Sequence, residues 1–135
     1  MSKPTVFSDL QADGVFLKKN TVSTISTAGA VTYTAAQVLG GLILRNTNGA
    51  GRADLMPTVA QLVAFIGNPY KIAGASFEFT IRNTAGAAET ITLTTNTGLT
   101  LSGTMTIAQS NSKTFKVVFT NATTATVYSL GTVVS

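Results

Sequence analysis

From Ser76 to Leu130 the chain alternates apolar and polar residues almost without a break. The pattern runs through Phe77-Glu78-Phe79-Thr80-Ile81-Arg82, Glu89-Thr90-Ile91-Thr92-Leu93-Thr94, Leu99-Thr100-Leu101 and Thr104-Met105-Thr106-Ile107. After further turns it resumes in Phe115-Lys116-Val117-Val118-Phe119 and Ala125-Thr126-Val127-Tyr128. Successive side chains on a strand point to opposite faces, so a period of two describes sheets with one buried and one wet face. Breakers separate the runs: Asn83-Thr84-Ala85-Gly86, Thr95-Asn96-Thr97-Gly98, Ser102-Gly103 and Gln109-Ser110-Asn111-Ser112. Short strands at this spacing predict an all-β fold, an antiparallel β-sandwich or small barrel.

Upstream the pattern is less regular. Val31–Thr34 reads as a short strand, Ala35–Leu39 as a turn of helix ended by Gly40-Gly41, and Leu42–Asn46 as a strand buried on both faces. Asn46-Thr47-Asn48-Gly49-Ala50-Gly51 is a turn built on Asn-Gly, and Arg52–Met56 is a brief extended piece. Pro57–Ile66 is the one short helix expected with conviction, with proline at its first position and Gly67 and Pro69 at its end. Val59, Leu62, Val63 and Ile66 form one apolar face, and Ala60, Ala64 and Phe65 extend it nearly all round. Such a helix needs cover on more than one side. It either plugs an open end of the two sheets or packs against another subunit. Two motif pairs echo each other: Leu44-Arg45-Asn46-Thr47-Asn48-Gly49 with Ile81-Arg82-Asn83-Thr84-Ala85-Gly86, and Thr34-Ala35-Ala36-Gln37 with Thr58-Val59-Ala60-Gln61. Their unequal spacing points to repeated strand-to-turn chemistry rather than a repeat array.

Residues 1–28 differ from the rest and divide the chain into an extended N-terminal arm, 1–28, and a β-sandwich domain, 29–135. Lys3, Asp9, Asp13, Lys18 and Lys19 stand there beside Phe7, Leu10, Val15, Phe16 and Leu17. One reading is a packed N-terminal strand with a frayed end. The other is an arm that lies on a neighbouring protein, with Phe7, Leu10, Phe16, Lys18 and Lys19 as its docking residues.

Composition excludes most chemistry. The 135 residues, one domain's worth, include no Cys and no His, which removes disulfides, thiol nucleophiles, imidazole bases and nitrogen or sulfur metal ligands. The five acids are Asp9, Asp13, Asp54, Glu78 and Glu89, and none is expected to share a catalytic cleft with another. Asn46-x-Asn48-Gly49-x-Gly51-x-x-Asp54 has one carboxylate where a calcium loop has several, and Gly49-Ala50-Gly51 is followed by no Lys-Ser/Thr that would make a phosphate cradle. Asn121-Ala122-Thr123 fits a glycosylation triplet but reads as a turn. No metal, cofactor or catalytic residue is therefore expected. The net charge of +4 comes from scattered basic residues, so no nucleic-acid partner is expected. No apolar run reaches the length of a membrane span, no membrane partner is expected, and Met1-Ser2-Lys3-Pro4 lacks the apolar core of a signal peptide. Arg45, Arg52, Arg82 and Glu78 are either exposed charges or an arginine cluster at a subunit junction.

Three blocks carry a resemblance. They are Gly40-Gly41-Leu42-Ile43-Leu44-Arg45 with Asn48–Asp54 and Pro57–Gln61, then Gly74–Thr84, then Thr126-Val127-Tyr128-Ser129-Leu130-Gly131. Together, over residues 30–132, they resemble small structural proteins of tailed bacteriophages that decorate or cement the outside of the capsid. The resemblance implies a jelly-roll-like sandwich that trimerises and sits at three-fold positions of the shell. Its partners would be further copies of itself and the major capsid protein, and its place the outer surface of a virion assembled in the host cytoplasm. No binding residue comes with the resemblance. From the residues themselves the expected trimer contacts are Leu62, Phe65 and Ile66 on the helix, with Arg45 and Arg82. The competing expectation is a receptor- or glycan-binding tip of a phage fibre or spike, for which Tyr33, Tyr70 and Tyr128 are the available tyrosines.

Overall fold

Nine strands and two helices make up the computed structural model, which describes residues 19–67 and 71–134. In chain order they are β1 (Thr21–Ile25), α1 (Ala35–Leu39), β2 (Gly41–Arg45), β3 (Arg52–Leu55), α2 (Val59–Ile66), β4 (Ser76–Asn83), β5 (Ile91–Thr94), β6 (Leu99–Ser102), β7 (Thr106–Ile107), β8 (Asn111–Phe119) and β9 (Ala125–Val134). The chain is predominantly β. A six-stranded sheet has the order β1-β2-β4-β8-β9-β6, and a three-stranded sheet the order β3-β5-β7.

The pairing differs from the antiparallel expectation. β1 with β2, β2 with β4, β3 with β5 and β6 with β9 are parallel, while β4 with β8, β5 with β7 and β8 with β9 are antiparallel. Parallel neighbours need crossover connections: β1 reaches β2 through α1, and the other crossovers pass through the opposite sheet. Between β2 and β4 the chain passes through β3 and α2, and between β6 and β9 through β7. The residue alternation sets which side chains face inward. It says nothing of which strand lies alongside.

Both sheets contribute to one core. Ile43, Phe79, Ile81, Phe115, Val117, Phe119 and Val127 come from the large sheet, Ile91, Leu93 and Ile107 from the small one, and Val59 and Leu62 from α2. Phe79 and Phe115, opposite each other in the β4–β8 register, stack with centroids 5.3 Å apart. Cross-strand aromatic pairs of this kind help hold strand register. The outer face of the large sheet stays half-buried or exposed, so β2 alternates rather than being buried on both faces.

Both Thr-x-x-Gln motifs are helix starts. Thr34 and Thr58 accept from the backbone N–H of Gln37 and Gln61 at 3.2 and 3.1 Å, and each glutamine side chain accepts from the threonine's own N–H. These are reciprocal capping boxes, so Pro57 precedes the cap instead of opening the helix. α2 ends at Gly67, whose φ of 80° favours glycine. Gly98, at φ 87°, has a second reason: a Cβ there would lie 2.6 Å from the Thr123 carbonyl and 3.0 Å from Val59.

The folded body begins before residue 29. β1 lies inside the segment expected to be an arm, and Asn46 N–H bonds the Ile25 carbonyl at 2.8 Å just beyond the β1–β2 ladder. The remainder of that segment, residues 1–18, lies outside the described residues.

Candidate functional site

Charge is where a site would begin, and the most deeply placed charges are Arg45 and Asp54. Both side chains are 0% exposed. Arg45, at the end of β2, donates from Nε to Asp54 Oδ2 at 2.7 Å and from Nη2 to Oδ1 at 3.2 Å, the forked geometry that guanidinium and carboxylate favour. Its other donors reach the carbonyls of Thr27 (2.9 Å) and Asn46 (2.8 Å) from Nη1 and of Gly29 (2.6 Å) from Nη2. All its N–H groups are thereby used. Asp54 also accepts from the Tyr33 hydroxyl at 2.7 Å and the Val31 N–H at 3.1 Å. Burial, then the carboxylate that holds its proton, push the Tyr33 phenol well above the usual tyrosine range. For Arg45, burial alone would lower the pKa, but the bonds and charge of Asp54 outweigh it and raise the value.

This constellation is closed. It clamps the 27–33 loop, β2 and β3 together, and offers no free lone pair or proton to a substrate. Asp54 is turned inward, away from the Asn46–Gly51 turn, so the calcium-like spacing does not converge on a cation. Asn46 Oδ1 instead accepts from Asn48 N–H at 2.9 Å, and Asn48 and Gly49 take left-handed φ values of 54° and 116°.

The other described acids are also committed. Glu89 Oε1 accepts from Thr47 Oγ1 at 2.6 Å and Gly49 N–H at 3.1 Å, two bonds that hold its carboxyl below the usual range. Glu78 lies on the outer face of the large sheet, 3.9 Å from Lys116. Among the described residues no three acids gather as a metal site. Lys113 is the unusual cation. It points inward from β8, is 4% exposed, and donates to the Thr104 carbonyl at 2.8 Å. Burial lowers its pKa.

Apolar side chains also stand at the described surface. Phe65 and Ile66 on α2 are 54% and 38% exposed. The open face of the large sheet carries threonines, with the hydroxyls of Thr80 and Thr114 joined at 2.8 Å across β4 and β8, beside Leu42, Leu44, Val118 and Tyr128. No helix among the described residues is long and apolar enough to cross a membrane.

The expected site residues divide sharply. Leu62 and Arg45 belong to the interior, Leu62 in the core and Arg45 in the ion pair, so neither is available as a subunit contact. The reason for Arg45 is its face: it shares the inner side of β2 with Ile43. Phe65 and Ile66 are exposed, and Arg82 faces outward from β4 and is partly buried. Of the expected docking residues, Lys19 is exposed, while Phe7, Leu10, Phe16 and Lys18 lie outside the described residues, as does Tyr70. Tyr33 is buried, which leaves Tyr128 as the tyrosine at the described surface. Sequence reasoning missed the Arg45–Asp54–Tyr33 cluster. A charge on the inward phase of an apolar strand, as in Leu42-Ile43-Leu44-Arg45, was the signal that could have found it.

No family model, curated protein or solved structure matches this chain.

Proposed function

We propose that this protein is a non-enzymatic structural component of a virion, a decoration or cement protein that binds the outer capsid surface as a homotrimer and stabilises the shell. The observation that carries the reading is the division between inside and outside. The buried Arg45–Asp54 pair is consumed by the fold, while Phe65 and Ile66 on α2 are left to solvent and the outer face of the large sheet presents threonines among three charges, Glu78, Arg82 and Lys116. Surfaces of that kind serve association rather than chemistry. A protein that binds only the assembled shell shifts its stability by mass action alone. The jelly-roll-like sandwich belongs to this reading too, supported by two sheets that share one core. On the trimer, Phe65 and Ile66 become contacts that cover α2, and Arg82 contributes from the outer face of β4.

The test is to incubate purified protein with undecorated shells of a tailed phage and image them by electron cryomicroscopy. Ordered density at three-fold positions, and shells that survive higher temperature, are the expected results. Absence of density on any shell, with binding to cells or glycans instead, would overturn the capsid reading in favour of a receptor-binding tip.

A further inference from the structure

Among the described residues the large sheet ends in two open edges. At one end β1 (Thr21–Ile25) is paired on one side, to β2. At the other, β6 covers β9 from Ala125 to Tyr128, so among the described residues Ser129–Val134 is paired to β8 alone. A strand with one unpaired side is a template for a further strand, and natural edges are usually blocked by charge, proline or a bulge. Neither edge here carries charge or proline: no charged residue or proline lies between Lys19 and Arg45, and none follows Lys116. A bulge between Thr114 and Phe115 leaves Leu130 as the extra residue of β9, 52% exposed. Beyond it, Gly131–Val134 regains regular pairing with Asn111–Thr114, and Val133 is 64% exposed. The bulge interrupts the ladder at Leu130, and regular pairing to β8 resumes beyond it.

We infer that the distal half of β9 pairs edge to edge with β1 of a second copy of this chain. The unpaired backbone selects a strand as its occupant. Neutrality selects among strands, because an acidic or basic peptide finds no counter-charge on Ser129–Val134, whereas Thr-Val-Ser-Thr-Ile brings none. Lengths also match, five residues against six, and Val22, 54% exposed, is brought toward the equally exposed side chains of distal β9. Because the two edges lie at opposite ends of one sheet, the contact is head-to-tail, which closes into a ring where the rotation between copies closes and otherwise extends as a filament. The inference rests on the reading that the chain works as an oligomer, and not on what that oligomer binds.

The experiment uses the full chain with either edge blocked by lysine, Val22→Lys with Thr24→Lys or Leu130→Lys with Val133→Lys, measured by sedimentation equilibrium. Melting curves check folding, and Val133→Lys alone replaces the second variant if that one unfolds. Wild type should be oligomeric, each variant monomeric with an unchanged melt, and an equimolar mixture of the two variants a heterodimer, since each supplies the edge the other lacks. A monomeric wild type overturns the inference, as does a β1 variant that assembles like wild type. Shell binding is scored separately. A wild type that is monomeric yet coats shells rejects the edge pairing and the trimer but spares capsid binding, and an oligomeric wild type that ignores shells does the reverse.

Discussion

Arg45 and Asn83 are register partners on the parallel strands β2 and β4, and both point into the core. The echo between the two Arg-Asn motifs would instead align Arg45 with Arg82. In space the match is displaced by one residue, and on a pleated sheet one residue exchanges the faces. Arg45 is therefore sealed inside while Arg82 looks outward. The turn chemistry of the two motifs is nonetheless shared: Asn83 Oδ1 accepts from Ala85 N–H at 3.0 Å, as Asn46 Oδ1 does from Asn48 N–H.

Truncating one partner of the buried pair leaves the other charged and desolvated. Asp54→Ala should therefore lose about 3–5 kcal/mol in urea denaturation. The paired change Arg45→Met with Asp54→Leu should cost less than the sum of the single changes, because no charge is then stranded. A loss under about 1 kcal/mol for Asp54→Ala would show that the pair is not the clamp described.

Lys113 yields a pH prediction with a definite sign. Its pKa is lowered in the folded chain because burial penalises the ammonium. Below the folded value it is charged in both states, and wild type carries the full penalty. Between the lowered value and the ordinary lysine value the unfolded chain binds more protons, so stability rises with pH. Lys113→Met should raise neutral-pH stability by about 1 kcal/mol, about 3–5 °C in Tm, with the gap to wild type closing as the pH is made alkaline. Parallel stability curves would contradict this.

On α2, neighbouring positions should separate folding from association. Leu62 is fully buried and Phe65 half exposed. Leu62→Ala should cost about 2–5 kcal/mol by opening a cavity in the core. Phe65→Ser should change the melt little and, on the trimer reading, shift the sedimenting species toward monomer. A Phe65→Ser protein that remains fully trimeric would remove α2 from the contact.

Much of the local structure was legible. The period of two located β4, β5, β6, β8 and β9, because burial on one face is recorded in consecutive residues. The apolar stripe and terminal glycine located α2 for the same reason, whereas the Thr-x-x-Gln echo, expected to be strand-to-turn chemistry, is a capping box at both helix starts. Absence of Cys and His limited the chemistry with no structure at all.

Pairing was another matter. That β2 lies between β1 and β4 in parallel, that Asp54 reaches Arg45 across nine positions of sequence, and that Tyr33 closes the cluster are consequences of the chain passing between two sheets. The amino-acid sequence by itself determined which side chains turn inward, through short-range alternation, and that thiol and imidazole groups are missing from the chain. Only the tertiary structure decided which inward residues meet, and which edges and faces are left open. Those depend on contacts between segments far apart in the chain, and no local pattern encodes them.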